Sequence, residues 1–310
     1  MRPVLGELWG EPLSAYFVLL LVGFAVATWS LVRWAKRAGL PHGPIIDVGL
    51  ASIVGGVLGG RLLHVLADGY FWDYVHLCTD PSSVSWAVTQ ARCSAISGSW
   101  DAATRVCHPV LRDCWAWAKF YQGGLVYYGG LLGGAAFAVW ILRRDRMPVR
   151  TVADAAAPGV AMGLFFGRIG CFLGGCCFGR ATGSALGVRF PGYSPASEGQ
   201  FREHLLGHPG MLSLPVHPTQ LYEALGCLAI AVGLGMWSPR RQRFSGQTSL
   251  LFLSLYAALR FGLEFLRADD RGALAGLSTS QWIGAVVVVL VVWEWRRLSR
   301  RSAVAAAGVA

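Results

Sequence analysis

Charge is what this sequence has least of. Only 14% of its 310 residues are Asp, Glu, Lys or Arg, while 54% are hydrophobic and the mean hydropathy is +0.48. A soluble domain carries about 25% charged residues. Too few charges remain here to cover a water-facing surface, so a soluble globular domain is excluded and lipid becomes part of the solvent. Lysine is nearly missing: of 27 basic residues, only Lys36 and Lys119 are not arginine. The formal net charge of +10 would suggest nucleic acid in a soluble chain. Here the arginines fall in short clusters between apolar runs and read as topology signals, and no nucleic-acid partner is expected. A CxxC pair is absent, which removes the usual motif of a membrane thiol–disulfide oxidoreductase. So is a repeat of two similar halves, which argues against a transporter built from them. The first apolar run has no charged segment before it and no small-residue cleavage site, so it reads as a retained helix.

A span needs about 20 apolar residues, and seven runs qualify, at about 14–32, 46–66, 123–142, 152–177, 217–237, 247–266 and 279–295. Basic clusters follow every odd one: Arg33, Lys36 and Arg37; Arg143, Arg144, Arg146 and Arg150; Arg240, Arg241 and Arg243; Arg296, Arg297, Arg300 and Arg301. All four then share one side, cytoplasmic by the positive-inside rule. The expected fold is an all-α polytopic membrane protein of about seven transmembrane helices. Its N-terminus lies outside, its C-terminus is cytoplasmic, and a periplasmic cap covers the outer side. Residues 1–302 read as a single transmembrane domain. Within it are an outer cysteine-containing insert, 67–122, and an outer cap segment, 180–216, rich in Pro and Gly. The tail, 303–310, is expected to lack order.

Cys78, Cys93, Cys107 and Cys114 all sit in the outer insert. An even count in an oxidising compartment fits two disulfides, with three pairings possible. A metal site with His76 and His108 is the weaker alternative, and no metal is expected. Cys171, Cys176 and Cys177 lie at the outer end of the fourth run, and Cys227 reads as a small buried hydrophobe.

Ionisable side chains inside membrane helices are costly and usually functional. Arg61 lies in the second run, where snorkelling to the interface is the plain alternative. Arg168 lies in the fourth, among Gly163, Gly167, Gly170 and Gly174, which read as close helix packing. Such packing cuts the guanidinium off from water, so Arg168 requires an anionic partner. His217, Gln220, Tyr222 and Glu223 open the fifth run; Pro218 would suit a helix start, but Gln220 and Glu223 exceed what capping needs. Arg260 and Glu264 share a face of the sixth at i, i+4, a spacing that also suits a plain ion pair, and Arg267 and Asp270 follow. Arginines converging from several helices suit a phosphate, because the planar guanidinium donates paired hydrogen bonds. In a membrane that phosphate is a phospholipid headgroup.

Three segments then resemble a known family. Gly167–Arg180 (GRIGCFLGGCCFGR), His217–Glu223 (HPTQLYE) and Arg260–Asp270 (RFGLEFLRADD) are similar to the signature segments of prolipoprotein diacylglyceryl transferases. Weaker matches are Gly59–Leu62, Gly123–Gly130 and Tyr16, in family order. The resemblance implies an enzyme of the bacterial cytoplasmic (inner) membrane with its active site toward the outer side. Such an enzyme moves the diacylglyceryl group of phosphatidylglycerol to the lipobox cysteine of a preprolipoprotein signal peptide, forming a thioether and releasing glycerol-1-phosphate. No cofactor is implied beyond the bilayer and these two substrates. It implies catalytic roles for Arg168, Arg260, Glu264 and Tyr128, with Arg260 oriented by Glu264. Substrate-binding roles are implied for Tyr16, Arg61, Gly179, His217, Gln220, Tyr222, Glu223 and Arg267.

The sequence departs from the family at three places. Tyr128 stands where the family often has a His suited to general-base work, and a phenol of pKa about 10 is a poorer base. Cys171 and Cys176 replace a common Asn and Glu, and a disulfide from Cys171 to Cys176 or Cys177 requires the helix to end there. These changes keep a non-catalytic lipid-binding paralogue, or a transferase with another acceptor, as the alternatives.

Overall fold

The computed structural model describes residues 4–8, 11–67, 69–86, 90–119, 126–268, 273–274 and 276–307. Among them the chain runs β1 (Val4–Leu8), β2 (Glu11–Ser14), α1 (Ala15–Arg37), α2 (Gly43–Ala67), α3 (Phe71–Thr79), α4 (Gln90–Ala95), β3 (Ser99–Asp101), β4 (Val106–His108), α5 (Tyr127–Arg144), α6 (Val149–Gly174), α7 (Pro195–Arg202), α8 (Thr219–Arg241), α9 (Gln247–Glu264), β5 (Ala273–Leu274), β6 (Leu277–Ser278) and α10 (Thr279–Ala307). The protein is mostly helical. Among the described residues, four helices are long and apolar enough to cross a membrane: α1, α2, α6 and the Thr219–Trp237 part of α8. The long helices α5, α9 and α10 are shorter or more polar along their length. Three antiparallel two-stranded ladders, β1–β2, β3–β4 and β5–β6, interrupt the all-α expectation. Helix α10 continues through Ala307, so most of the tail expected to lack order is helical; 308–310 lie outside the described residues. So do 123–125 and 269–270 of the family-like segments.

The chain forms two compact units, Met1–Ile45 with Pro148–Ala310, and Ile46–Met147. In the first, α1 packs along α6 through small residues. A Cβ on Gly23 would sit 3.0 Å from the Gly163 carbonyl oxygen, and one on Gly170 would sit 2.9 Å from the Tyr16 Cα. Gly167 and Gly174 face open space instead, so only half of the glycines read as packing residues around Arg168 serve that role. Helix α8 lies against both α6 and α9, with Gly226 admitting the Leu259 side chain. Leu250 of α9 packs with Val291 and Leu298 of α10. Residues 180–216 fold around Phe190, Ala196 and Val216, with Phe172 and Phe178 against them.

In the second unit α2 and α5 meet along Gly55, Gly59, Gly129 and Gly133, where an added Cβ on any of the four would collide with the facing backbone. This is the small-residue seam that lets apolar helices approach without a hydrophobic drive between them. The insert is built on α3, α4 and the β3–β4 ladder. Its cysteines pair as Cys78–Cys114 and Cys93–Cys107, the nested choice among the three. Buried Arg61 anchors the insert to α2. Its Nε donates to the Trp117 carbonyl at 2.6 Å, its Nη2 to the Ala116 carbonyl at 2.7 Å, and its guanidinium lies 5.1 Å from the Tyr74 ring centre.

Candidate active site

The site residues of the first unit gather where α6, α8 and α9 meet. Arg168 leaves α6 with its Nε 3.1 Å from Oε2 of Glu223 on α8, the two side chains 14% and 1% exposed. The other Glu223 oxygen accepts the Tyr256 hydroxyl of α9 at 3.0 Å. One carboxylate therefore ties three helices together and supplies the anion that the burial of Arg168 requires. On α9, Arg260 Nη1 lies 2.9 Å from Glu264 Oε2, one turn on. Tyr256 precedes Arg260 by one turn, so the hydroxyl and the guanidinium share a face. Tyr256 escaped the sequence reading. Its only signal was a phenol at i−4 from an intramembrane arginine.

Beyond α9 the chain turns back. Gly179 bridges to Arg267, Gly179 N–H donates to the His217 carbonyl at 2.9 Å, and Arg180 N–H donates to the Leu266 carbonyl at 2.8 Å. Three segments so close leave no room for a side chain: a Cβ on Gly179 would lie 2.6 Å from the Leu266 oxygen and 2.8 Å from the His217 Cβ. The Arg267 backbone is thereby fixed beside the start of α8, and its carbonyl accepts the Arg180 Nε at 3.1 Å. The first turn of α8 reaches back to the end of α6. Gln220 Nε2 donates to the Cys176 carbonyl at 2.7 Å and Thr219 Oγ1 to the Cys177 carbonyl at 2.9 Å. Gln220 Oε1 is buried with no hydrogen-bond partner among the described residues. The His217 ring contacts the Tyr222 hydroxyl at 3.4 Å. Arg168 and Arg267 both lie within electrostatic reach of Cys177.

Tyr16 packs its backbone on Gly170, leaving a partly exposed ring at the top of α1. Tyr128, half-buried in the first turn of α5, belongs to the second unit with Arg61 and the four insert cysteines. Cys171, Cys176 and Cys177 carry free thiols, so neither disulfide considered among them is formed.

Half-buried arginines held by glutamates, one pair between α6 and α8 and one within α9, in a chain with helices long and apolar enough to cross a membrane, define an integral membrane protein with a polar interior site. Such a site suits an anionic headgroup. A family model described as prolipoprotein diacylglyceryl transferase matches residues 3–296, and the chain belongs to that family. It is similar to phosphatidylglycerol–prolipoprotein diacylglyceryl transferase 2 of Clostridium perfringens, 28% identical over 289 residues that cover 93% of this chain and 92% of that protein. It is similar also to the phosphatidylglycerol–prolipoprotein diacylglyceryl transferase of Pseudoalteromonas atlantica, 30% identical over 307 residues, covering 95% and 90%. The corresponding transferase 1 of Streptomyces coelicolor is 30% identical over 284 residues, 91% of this chain and 68% of that protein.

Proposed function

We propose that this chain transfers the diacylglyceryl group of phosphatidylglycerol to the lipobox cysteine thiol of preprolipoproteins. The observation that carries the reading is the Arg168–Glu223–Tyr256 cluster, a guanidinium held in lipid by a carboxylate that three helices share. The membrane family and the names of its relatives support it.

In the reaction the acceptor thiol gives up its proton and the sulfur attacks the glyceryl carbon that bears the phosphate. A carbon–sulfur bond forms, the carbon–oxygen bond breaks, and its electron pair leaves on the oxygen of glycerol-1-phosphate. Charge builds on that leaving group, so fixed guanidinium groups stabilise the transition state more than the bound lipid. Arg168, Arg260 and Arg267 are assigned this task, with Glu223 and Glu264 keeping the guanidiniums oriented. The unpartnered Gln220 Oε1 offers an acceptor to a headgroup hydroxyl. Tyr128 is assigned the thiol proton, which its oxygen accepts only as the phenolate; Tyr16, Gly179, His217 and Tyr222 are assigned the lining and support of the lipid site, and Arg61 a substrate-side role in its own unit. A thiol of ordinary pKa about 8.5 asks for only modest activation.

The seven long helices are read as seven spans, with the N-terminus outside, the C-terminus cytoplasmic, and the site toward the outer side of the bacterial inner membrane. The test is glycerol phosphate release from phosphatidylglycerol and a lipobox peptide by the purified protein. Release is expected to require the peptide cysteine and to fall about 10²–10³-fold in Arg168→Ala, with a comparable loss in Arg260→Ala. Phosphatidylglycerol binding without release from any lipobox peptide would overturn the reading in favour of a binding paralogue, for which Tyr128 in the place of the family His is the motivating feature.

A further inference from the structure

The three thiols at the end of α6 are the cluster that the transfer reaction leaves unused. Their sulfurs all lie within 4.8 Å of one another. Sequence spacing alone would not gather them, because residues five and six apart on a continuing helix rise about 7.5–9 Å along its axis. The helix stops instead. Gly175 takes the left-handed conformation, φ 72° and ψ 16°, and the Cys176 N–H returns to the Cys171 carbonyl at 3.2 Å. That is a Schellman closure, which folds the chain back over the last turn. Cys177 is also left-handed, φ 62°, a region that non-glycine residues seldom occupy. Its carbonyl is held by Thr219 and that of Cys176 by Gln220, so α8 clamps the turn that presents the thiols. Cys171 is buried and the other two are half-buried. Around them stand Arg168, one turn before Cys171, and Arg267, both within reach of Cys177.

We propose that Cys171, Cys176 and Cys177 form a binding site for a soft d¹⁰ metal cation, held by three thiolates. Metal–sulfur bonds of about 2.3 Å in a trigonal plane put the sulfurs about 4.0 Å apart, which small side-chain rotations reach from this arrangement. Thiolate sulfur selects Cu(I) and Zn(II) over hard cations. Cu(I) fits three ligands without a fourth, and a tris-thiolate Cu(I) centre carries two negative charges; Arg267 and Arg168, the latter shared with Glu223, lie close enough to moderate them. The site goes beyond the transferase reading and does not depend on it.

The test uses the full-length protein in detergent, purified without reductant so that the two insert disulfides stay closed. Titration with Cd(II) reads the sulfur-to-metal charge-transfer absorption, and Cu(I) is titrated against a chromophoric chelator. One equivalent of each is expected to bind. Affinity is expected to fall more than ~100-fold in Cys171→Ser and Cys177→Ser and to stay unchanged in Cys227→Ser. Protection from maleimide in the unmutated protein, mapped by mass spectrometry, gives a readout that no folding defect of a variant can mimic. Bound metal should shield Cys171, Cys176 and Cys177 together. Absence of stoichiometric binding, binding indifferent to Cys171→Ser and Cys177→Ser, or alkylation of the three thiols unaffected by metal would each overturn the site. So would a native disulfide among them.

Discussion

Glu223 shows how much one residue can carry. Its side chain is 1% exposed, with Arg168 on one oxygen and Tyr256 on the other. Breaking a buried pair by removing one partner costs about 3–5 kcal/mol, because the other charge stays buried alone. Glu223→Ala is therefore expected to lower the thermal midpoint in detergent and also the activity. Glu223→Gln keeps the shape and an acceptor for Tyr256, so it should recover much of the stability while kcat stays depressed. If both variants lost stability and kept kcat, Glu223 would be a packing residue only. The requirement for an anion beside Arg168 was legible in the sequence, since a guanidinium in lipid has no other way to be satisfied. That Glu223 would be the anion was not legible, because fifty-five positions separate the two and only the packing of α8 on α6 joins them. Gly179 makes the same point in backbone. Gly179→Ala is expected to push apart the His217 and Leu266 segments and reduce transfer with the membrane-embedded fold intact, read as a rise in KM and a fall in kcat at unchanged detergent solubility.

Among the elements, α9 depends on a helix that is distant in sequence. Its N-terminus is capped by no side chain of its own, since the N-cap is Gly246 in the left-handed region. Buried Asp154 of α6 takes over. It accepts from the Gly246 N–H at 2.5 Å, the Ser249 N–H at 2.8 Å and the Gln242 side chain at 2.5 Å. A carboxylate there satisfies orphan N–H groups and complements the helix dipole. Asp154→Ala is expected to destabilise the fold by about 1–3 kcal/mol through those unmet donors. The measurement is the midpoint of thermal unfolding, with Asp154→Asn recovering part of the loss. An unchanged midpoint would refute the capping role. The location of α9 was plain from its apolar run. Its cap was not, because Asp154 is one acid in an Ala-rich stretch and nothing local marks it as another helix's terminus.

At the scale of the whole molecule, the insert is held by covalent bonds as well as packing. Its outer disulfide closes a span of 36 residues and its inner one a span of 14. Removing a native disulfide typically costs 2–5 kcal/mol. Cys78→Ala with Cys114→Ala is expected to make the insert sensitive to added protease before the helical part yields, which limited proteolysis with mass mapping would detect. Equal protection in the variant would mean that Arg61 and local packing suffice. Orientation belongs to this scale too. Single cysteines placed in 180–216 and after Arg241, in a background with the native free thiols replaced, should label from opposite sides of intact cells. Labelling from the same side would overturn the proposed topology.

That the chain needs lipid, where its long apolar runs lie, and which arginines fall within them can all be read from the residues alone. Those are consequences of composition and of apolar run length, and among the described residues four of the runs, those of α1, α2, α6 and α8, carry helices long and apolar enough to cross a membrane. Tertiary structure alone decided which carboxylate meets Arg168, which cysteines of the insert pair, and that a glycine turn brings three thiols together. It also revealed the short β-ladders. Each of these depends on residues far apart in the chain, or on a backbone reversal a few residues long. Periodicity and charge counting measure what a segment prefers along its own axis. They are silent on which other segment will be beside it, because that is settled by side-chain shape and by the need of every buried polar group for a partner.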